Sequence, residues 1–439
     1  MKSVFFFIIM TERIYSLFLK LKKVSIDTRE DVSGSIFFAL SGENFDGNQF
    51  ALQALKKGAA YAIIDKQEIV NDNDERYILV EDVLKTLQNL AAFHRSKFHI
   101  PVIAITGTNG KTTTKELISA ILKKEKKIIS TQGNLNNHIG VPLTVLKLTG
   151  QTEIAVIEMG ANHPGEIKFL CNIAQPTHGI ITNIGKAHLE GFRNLEGVIN
   201  TKNELYDYLR NNHGTAFVNS DDRLLMTLSE EIPRVTYGTK SLPDGKGEML
   251  KTGPNVTINW KKGNKNIKIR SHLFGSYNFS NLMASIAVGI YFKISEKSIH
   301  EALEAYIPKN NRSQFIKTKH NTLILDAYNA NPESMKLALT DFYNQYKNNS
   351  VIILGDMFEL GKVSGEEHKK IIDLLDQLHF DNVFLTGKEF SKVNGNKQYI
   401  TFRTTNEIIN YIKKHPIKNK TILIKGSRGM KLEALTPFL

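Results

Sequence analysis

Residues 102–122 combine an apolar run, a loop with two glycines and a helical pattern, an order typical of a phosphate-binding element. The glycines let backbone N–H groups point inward around an anion, a lysine adds positive charge, and the following helix N-terminus adds its dipole. The hydroxyl of Thr112 is placed to ligate Mg²⁺. The residues predicted to hold nucleotide phosphates are Gly107, Thr108, Asn109, Gly110, Lys111, Thr112 and Thr113.

The spacing in this loop departs from the general phosphate-loop pattern, which has four residues between its glycines. Two residues separate Gly107 from Gly110, and Ile105 stands where the longer pattern requires glycine. A simple glycine turn before a helix is therefore the alternative interpretation. The predicted strand before the loop and the helix after it favour phosphate binding.

Two further polar side chains follow predicted strands of the same region. The strand 154–158 ends in Glu158, and the strand 179–183 is followed by His188. Ligands bind at the carboxyl ends of strands in open α/β sheets, so a carboxylate, an imidazole and a threonine hydroxyl predict a Mg²⁺ site there. Taken alone, Glu158 could instead form a salt bridge or a helix cap, and His188 could be an ordinary loop histidine.

Lys202 lies on the apolar stripe of a predicted helix, four residues after Val198 and three before Leu205. The pattern alone favours a lysine whose stem packs on apolar neighbours while its ammonium group reaches water.

A second group of polar, glycine-rich loops follows strands near the C-terminus. The strand 322–326 ends in Asp326, the strand 351–354 is followed by Asp356, and the strand 421–424 is followed by Ser427 and Arg428. Each loop alone could be an ordinary turn. Together they predict a second binding surface that faces the first across a cleft.

Three blocks of sequence must position these residues, with predicted boundaries at 1–98, 99–309 and 310–439. In the middle block, strands that are apolar on both faces alternate with helices, which predicts a parallel sheet covered on both sides. A small α/β block precedes it and a doubly wound block follows it. We therefore expect an α/β fold of three domains. The other predicted elements are strands at 36–40, 61–64, 77–80, 102–105 and 383–385, helices at 80–99 and 278–292, and antiparallel hairpins within 241–270.

The composition limits the possible function classes. The chain has 439 residues, and its single cysteine, Cys171, excludes an internal disulfide. The apolar run 4–10 is too short to span a bilayer and lacks a cleavage site, so we expect neither membrane insertion nor a signal peptide. The formal net charge of +13 suits anionic ligands. It also leaves open a nucleotide-dependent nucleic-acid-binding protein, although no nucleic-acid motif is present.

These motifs together resemble those of the Mur ligase family. The family's short phosphate loop, Gly-Thr-x-Gly-Lys-Thr-Thr, matches residues 107–113 and accounts for the missing glycine at Ile105. The resemblance extends from about residue 12 to residue 439. The further matching runs, in chain order, are 27–29, 38–40, 46–47, 133–142, 158–161, 326–332, 355–361 and 425–428.

The resemblance implies a central ATPase domain, a Rossmann-like C-terminal domain and an N-terminal domain that binds a UDP-linked substrate. It implies that Lys111, Glu158, His188 and a carbamylated Lys202 are catalytic, and that the last three ligate Mg²⁺ with Thr112. The further residues implied to contact ATP are Asn281, Arg312 and Asp326. Those implied to contact the other substrates are Asp27, Thr28 and Arg29 for the uridine diphosphate, Asn137 for the muramoyl region, and Asn329, Ser427 and Arg428 for the acceptor.

The implied reaction is ATP-dependent amide formation between UDP-N-acetylmuramoyl-tripeptide and D-alanyl-D-alanine through an acyl phosphate, in a cytoplasmic monomer that binds no nucleic acid. Two positions depart from the family: Tyr277 replaces a usual histidine, and His138 stands where an acidic residue is common. A related ligase such as folylpolyglutamate synthase is the nearest alternative, although the runs 133–142 and 326–332 argue against it. A non-catalytic scaffold is disfavoured by the complete set of site residues.

Overall fold

The computed structural model describes residues 2–69, 74–187, 189–241, 245–251, 255–395 and 399–439. The chain divides into two compact units, and the division falls within one strand of the central sheet. The first unit comprises residues 1–104, 128–159 and 168–177, and the second comprises residues 105–127, 160–167 and 178–439.

The N-terminal region forms a four-stranded parallel sheet in the order β1-β2-β5-β6, with a small β3-β4 hairpin. The predicted strand 61–64 has the bounds predicted, and the predicted strands 36–40 and 77–80 and the predicted helix before Pro101 are present with shorter bounds. The elements are α1 Lys2–Leu21, β1 Val24–Ser25, β2 Ile36–Phe38, β3 Ser41–Gly42, β4 Phe45–Asp46, α2 Ala51–Lys56, β5 Tyr61–Ile64, β6 Tyr77–Leu79 and α3 Val83–Arg95.

The central region forms a six-stranded sheet in the order β12-β11-β10-β7-β9-β8. Every residue of β7, β9 and β10 is buried, so both faces of these strands are covered, as the continuous apolar runs predict. The elements are β7 Val102–Thr106, α4 Lys111–Leu122, β8 Ile128–Ser130, α5 Gly140–Val145, β9 Ile154–Glu158, α6 Glu166–Ala174, β10 His178–Ile181, α7 Leu189–Phe192, α8 Leu195–Asn211, β11 Thr215–Asn219, α9 Arg223–Leu228 and β12 Arg234–Tyr237.

The predicted hairpins are confirmed as a three-stranded antiparallel sheet, β13-β14-β15, whose middle strand carries the fully buried Trp260. Two helices follow it, and α10 packs against α4. The elements are β13 Gly247–Lys251, β14 Thr257–Lys262, β15 Lys265–Arg270, α10 Asn278–Tyr291 and α11 Glu296–Ala305.

The C-terminal region forms a sheet in the order β16-β17-β21-β18-β19-β20, parallel except for the antiparallel edge strand β16. Successive residues of one strand, such as Ile352 and Ile353, belong to two different hydrophobic clusters, so helices or loops cover both faces. The elements are β16 Gln314–Lys317, β17 Thr322–Asp326, α12 Pro332–Tyr346, β18 Ser350–Gly355, α13 Ser364–Leu378, β19 Val383–Thr386, α14 Lys388–Val393, β20 Ile400–Phe402, α15 Thr405–Lys414 and β21 Thr421–Lys425.

The mixed α/β fold with parallel central and C-terminal sheets is thus confirmed. Cys171 lies buried in α6, with its sulfur 3.9 Å from the sulfur of Met159. No helix in the described ranges is long and apolar enough to cross a membrane.

Candidate active site

The phosphate loop joins the end of β7 to α4, and its two glycines are required by geometry. Gly107 has φ +139° and Gly110 has φ +81°, values that other residues rarely adopt. A Cβ atom on Gly107 would lie 2.1 Å from Thr182 Oγ1, and one on Gly110 would lie 2.5 Å from Asn281 Oδ1. The loop is therefore a tight backbone cradle, consistent with a site for phosphate groups.

Two residues that follow β10 hold this loop in place. The Asn183 carbonyl accepts from the Thr108 N–H at 2.9 Å, and Asn183 Oδ1 accepts from the Asn109 N–H at 2.9 Å. Thr182 Oγ1 donates to the Asn109 carbonyl at 2.6 Å. The predicted strand 179–183 includes both residues. The strand ends at Ile181 instead, which frees these side chains to bind the loop.

Lys111 curls back over the loop. Its ammonium group donates to the Gly107 carbonyl at 2.7 Å and to the Thr108 carbonyl at 3.0 Å. Behind it, Thr112 and Thr113 are largely buried in the first turn of α4. The charge of Lys111 therefore lies directly on the cradle, where a phosphate group could attract it.

Lys202 lies inside the protein, with 2% of its surface exposed, so the expectation that its ammonium group reaches water is wrong. Nζ lies 5.4 Å from the centre of the Phe192 ring. Burial, and to a smaller degree the charge of Lys111, lower the pKa of Lys202 from 10.5 to about 7, although Glu166 and Glu204 oppose this shift. A substantial fraction of this amine is therefore neutral and nucleophilic near pH 7.

The two carboxylates near Lys202 also shape the loop before α6. Glu166 accepts from the backbone N–H groups of Asn162 and His163 at 2.6 and 2.9 Å. Glu204 accepts from the Gly165 N–H at 2.7 Å. Both acids thus have backbone donors as well as the nearby lysine.

The described part of the chain contains no group of three acidic, histidine or cysteine residues that could hold a metal ion. His188 lies outside the described residues, so its predicted role as a ligand remains a prediction. A carbamate on Lys202 would add a carboxylate-like oxygen donor. With that modification, the donor chemistry of a threonine hydroxyl, a carboxylate and a carbamate fits Mg²⁺.

Glu158 is buried at the end of β9, in the first unit. Its Oε1 accepts from Asn136 Nδ2 at 2.8 Å, and its backbone N–H donates to Thr131 Oγ1 at 3.0 Å. Asn137, predicted to contact the muramoyl region, uses Oδ1 to accept from the N–H groups of Ile139 and Gly140 before α5. Its amide nitrogen is turned away from that cap.

The predicted uridine-diphosphate residues lie in one short loop of the first unit. Arg29 forms a bidentate pair with Asp27, with Nη2 and Oδ2 2.6 Å apart, and this pair lowers the pKa of Asp27 to about 2. Thr28 donates to Gln53 Oε1 at 3.0 Å. The side chain of Arg29 is 88% exposed, so its outer face is accessible to an anion.

Asn281, predicted to contact adenine, is buried in α10 behind the phosphate loop. Its Oδ1 accepts from Thr114 Oγ1 at 3.1 Å, and its Nδ2 donates to Asn278 Oδ1 at 2.9 Å. The amide is therefore held rigidly between α10 and α4.

Asp326 ends β17 beside β21 and forms an ion pair with Lys425, with 2.5 Å between Oδ2 and Nζ. Lys425 has 2% of its side chain exposed. Oδ1 of Asp326 also accepts from the Ser313 N–H at 3.2 Å, next to Arg312. This ion pair fixes the carboxylate that was predicted to close over the nucleotide.

The ring of Tyr328 contacts two arginines that are predicted to bind ligands. The ring lies 3.7 Å from the guanidinium carbon of Arg312 and 4.9 Å from that of Arg428. The two arginines are predicted to contact different substrates, and no role is predicted for Tyr328. The structure places one arginine predicted to contact ATP and one predicted to contact the acceptor against the same aromatic ring.

The other polar residues of the C-terminal loops differ in their exposure and in their hydrogen-bond partners. Asn329 is exposed, with Oδ1 accepting from the next backbone N–H at 2.9 Å. Ser427 is buried, and its hydroxyl accepts from the Phe358 N–H at 2.9 Å. Asp356 accepts from the N–H groups of Glu389 and Phe390, each at 3.0 Å. This carboxylate thus stabilises the start of α14, and the binding surface predicted for this group of loops stays a prediction.

Tyr277, one of the two departures from the family, is buried at a polar junction. Its hydroxyl lies 2.9 Å from Ser313 Oγ, and burial raises its pKa. Its neighbour Ser276 donates to Asp341 Oδ2 through both its N–H and its hydroxyl, at 2.6 and 2.9 Å. Tyr277 therefore has a packing role. His138, the other departure, is exposed.

The loop before α12 reaches the phosphate loop. Asn331 Nδ2 donates to Asn109 Oδ1 at 2.8 Å. A cavity of about 720 Å³ lies next to this contact, a size that suits a small ligand. Its lining includes Gly185, Lys186, Pro332, Glu333, Glu367 and Lys370.

Three family models match consecutive parts of this chain. The model of the Mur ligase family catalytic domain matches residues 20–95, that of the Mur ligase middle domain matches residues 105–289, and that of the Mur ligase glutamate ligase domain matches residues 311–428. Together these ranges include all the predicted site residues.

Individual relatives are similar over almost the whole chain. The UDP-N-acetylmuramoyl-tripeptide–D-alanyl-D-alanine ligase of Bacillus subtilis is 36% identical over 422 residues, which cover 94% of this chain and 92% of the relative. A MurF crystal structure from Acinetobacter baumannii superposes with a TM-score of 0.84 at 32% identity, covering 95% and 93% of the two chains. The MurF ligase of Thermotoga maritima in complex with ADP gives a TM-score of 0.82 at 25% identity, covering 95% and 97%.

Proposed function

Because this chain belongs to the Mur ligase family, we propose that it joins D-alanyl-D-alanine to UDP-N-acetylmuramoyl-tripeptide in an ATP-dependent reaction of peptidoglycan precursor synthesis. One observation carries the proposal: the second unit contains a phosphate cradle with Lys111 on it and the buried Lys202. The chain that contains them is similar to such a ligase over almost its whole length. We place the reaction in the cytoplasm and expect a monomeric enzyme, as the resemblance to the family implies.

ATP binds with its β- and γ-phosphates in the cradle between Gly107 and Gly110. The loop N–H groups and the ammonium group of Lys111 neutralise the phosphate charge, since Lys111 can exchange its loop carbonyls for phosphate oxygens. Asn281 contacts the adenine side, and Arg312 and Asp326 cover the nucleotide.

Mg²⁺ is proposed to be held by Thr112, Glu158, His188 and carbamylated Lys202. When bound, it supplies positive charge to the phosphoryl group that is being transferred. The neutral form of the Lys202 amine attacks CO₂ and loses a proton to give the carbamate, so an anion replaces the cation of the protonated lysine. This change removes the charge repulsion between Lys202 and Lys111.

Amide formation proceeds in two steps. An oxygen of the tripeptide's terminal carboxylate attacks the γ-phosphorus of ATP, which forms an acyl phosphate and releases ADP. The amine of D-alanyl-D-alanine then attacks the acyl carbon, loses a proton and expels inorganic phosphate. The protein's contribution is to align the reactants and to keep water away from the acyl phosphate.

A phosphate-release assay tests this function. The purified chain is given ATP, Mg²⁺ and a UDP-N-acetylmuramoyl-tripeptide that ends in either diaminopimelate or lysine, with and without D-alanyl-D-alanine. We expect phosphate release and an amide product that require the dipeptide. A folate substrate with glutamate tests for a folylpolyglutamate synthase, and salt-sensitive DNA retention without ligase activity would indicate a nucleic-acid-binding protein.

Arg428 is proposed to bind the carboxylate of D-alanyl-D-alanine. The residue is exposed after β21, and its guanidinium lies against Tyr328, which orients it without neutralising it. Arg428→Ala should raise the KM for D-alanyl-D-alanine about 10-fold or more, because a charged hydrogen-bonded pair contributes about 1.5–3 kcal/mol. The KM for ATP should change much less in the same steady-state assay.

Arg403→Ala provides a matched control, since Arg403 is also an exposed arginine of the C-terminal region. It should leave both KM values near those of the parent chain. If Arg428→Ala leaves both values unchanged, or alters only that for ATP, Arg428 has a structural role and the dipeptide binds elsewhere.

A further inference from the structure

We propose that Asn331 is a positioning residue for amide formation, which ties the start of α12 to the phosphate loop through the Asn109 side chain. The inference rests on the ligase function proposed above. It assigns a role to a residue that neither the loop pattern nor the predicted substrate contacts include.

The amide of Asn331 has one possible orientation. Its Oδ1 accepts from the Ser334 N–H at 2.9 Å, and its own N–H donates to Ser334 Oγ at 3.1 Å, which together form a capping box at the start of α12. Because Oδ1 is engaged by a backbone donor, Nδ2 must point the other way. There it donates to Asn109 Oδ1 at 2.8 Å, and Asn331 is 6% exposed.

The side chain of Asn109 is the part of this residue that is available to a partner. Its backbone N–H donates to Asn183 Oδ1, and its carbonyl accepts from Thr182 and Asn183. The backbone of Asn109 is therefore fully engaged from the central sheet. Asn109 is also the variable position of the Gly-Thr-x-Gly-Lys-Thr-Thr loop, so this contact depends on the residue that the motif leaves open.

The contact matters because one short segment, residues 326–331, contains both Asn331 and the residues on the side from which the acceptor is proposed to approach. Asn331 follows Asp326 and Tyr328, and Tyr328 touches Arg312 and Arg428. The acyl phosphate forms at the cradle, whereas the amine approaches from this segment. A hydrogen bond between Asn331 and Asn109 fixes the position of this segment relative to the phosphate loop, and so the alignment of the amine with the acyl phosphate. A shift of about 1 Å in such an alignment can reduce a rate about 10²-fold.

The test compares Asn331→Ser with Ser334→Ala. Serine is a good N-cap, so Asn331→Ser keeps a cap on α12, but its side chain is too short to reach Asn109. Ser334→Ala is the matched control, because it removes the reciprocal bond of the capping box and leaves the contact between Asn331 and Asn109 intact. Both variants should therefore weaken the helix start slightly, and only the first should release the loop.

Two measurements report on positioning. In the unliganded chain, hydrogen exchange of the 107–113 amides should be faster in Asn331→Ser than in the parent or in Ser334→Ala. In the complete reaction, Asn331→Ser should lower kcat about 3- to 10-fold, as expected for one lost hydrogen bond. It should also form more ADP than amide, since misaligned acyl phosphate is hydrolysed by water to carboxylate and phosphate.

Asn109→Ala and the double variant complete the test. The losses should not add, because each single change removes the same contact. Additive losses, unchanged loop exchange, or equal effects of Asn331→Ser and Ser334→Ala overturn the inference. If the parent chain forms amide and Asn331→Ser still forms one amide for each ADP, this role is rejected and the ligase function stands. If the parent chain forms no amide, both proposals are rejected.

Discussion

Lys111→Ala is expected to lose about 10³-fold or more in kcat, the scale seen when a main electrostatic contact to a transition state is removed. Phosphoryl transfer depends on positioning and charge neutralisation, and Lys111 is the cation that lies on the cradle. Steady-state ADP formation in the presence of both other substrates measures the loss.

The fold should survive this change. In the unliganded chain Lys111 contributes two hydrogen bonds to loop carbonyls, each with a net stabilisation of about 0.5–1.5 kcal/mol. Lys124→Ala is a control for the loss of one positive charge, since Lys124 lies just beyond α4 in a partly exposed ion pair with Glu301. Turnover by Lys111→Ala close to that of Lys124→Ala would show that the loop lysine does not act on the phosphates.

Lys202→Ala is expected to lose about 10²- to 10³-fold in kcat, because the carbamate would be lost with the amine. A short carboxylic acid such as formate should restore part of the activity by occupying the space that the carbamate leaves. The same acid should not rescue Lys111→Ala, because an anion cannot replace a phosphate-binding cation. A fully active Lys202→Ala chain would contradict the proposed modification.

The modification itself should depend on pH in a defined direction. A carbamate forms from the neutral amine, and the pKa of Lys202 is about 7. Carbamylation in bicarbonate buffer should therefore increase as the pH rises from about 6 to about 8, since protonation blocks the amine below its pKa. Mass spectrometry of the intact chain, or ¹³C NMR with labelled bicarbonate, measures the modified fraction.

The phosphate loop and seven strands of the two large sheets (β7, β9, β10, β17, β18, β19 and β21) could be predicted from the sequence because their signals are local. A strand such as β9 is apolar at nearly every position, and only a strand covered on both faces produces that pattern. Five strands of these sheets were not predicted: β8, β11, β12, β16 and β20. Of these, β16 alternates half-buried and exposed residues over four positions, which resembles an ordinary polar loop.

The site could be predicted only in part. Helical periodicity placed Lys202 on the apolar face, but periodicity cannot show whether a long side chain reaches water, and here it does not. The partners of the loop, Asn183 and Asn331, lie about 70 and 220 residues away in sequence. An asparagine that fixes a loop has the same local signature as one in any turn, so only the folded chain shows the pairing.

The position of Cys171 has a practical consequence for the study of domain motion. The chain's single thiol is buried in α6 against Met159, where modifying reagents have little access. Thiol-reactive dyes should therefore label the unaltered chain very little. Cysteines introduced at one exposed site in the central region and one in the C-terminal region would carry a fluorophore pair, and energy transfer between the dyes would follow opening and closing as ATP and acceptor are added.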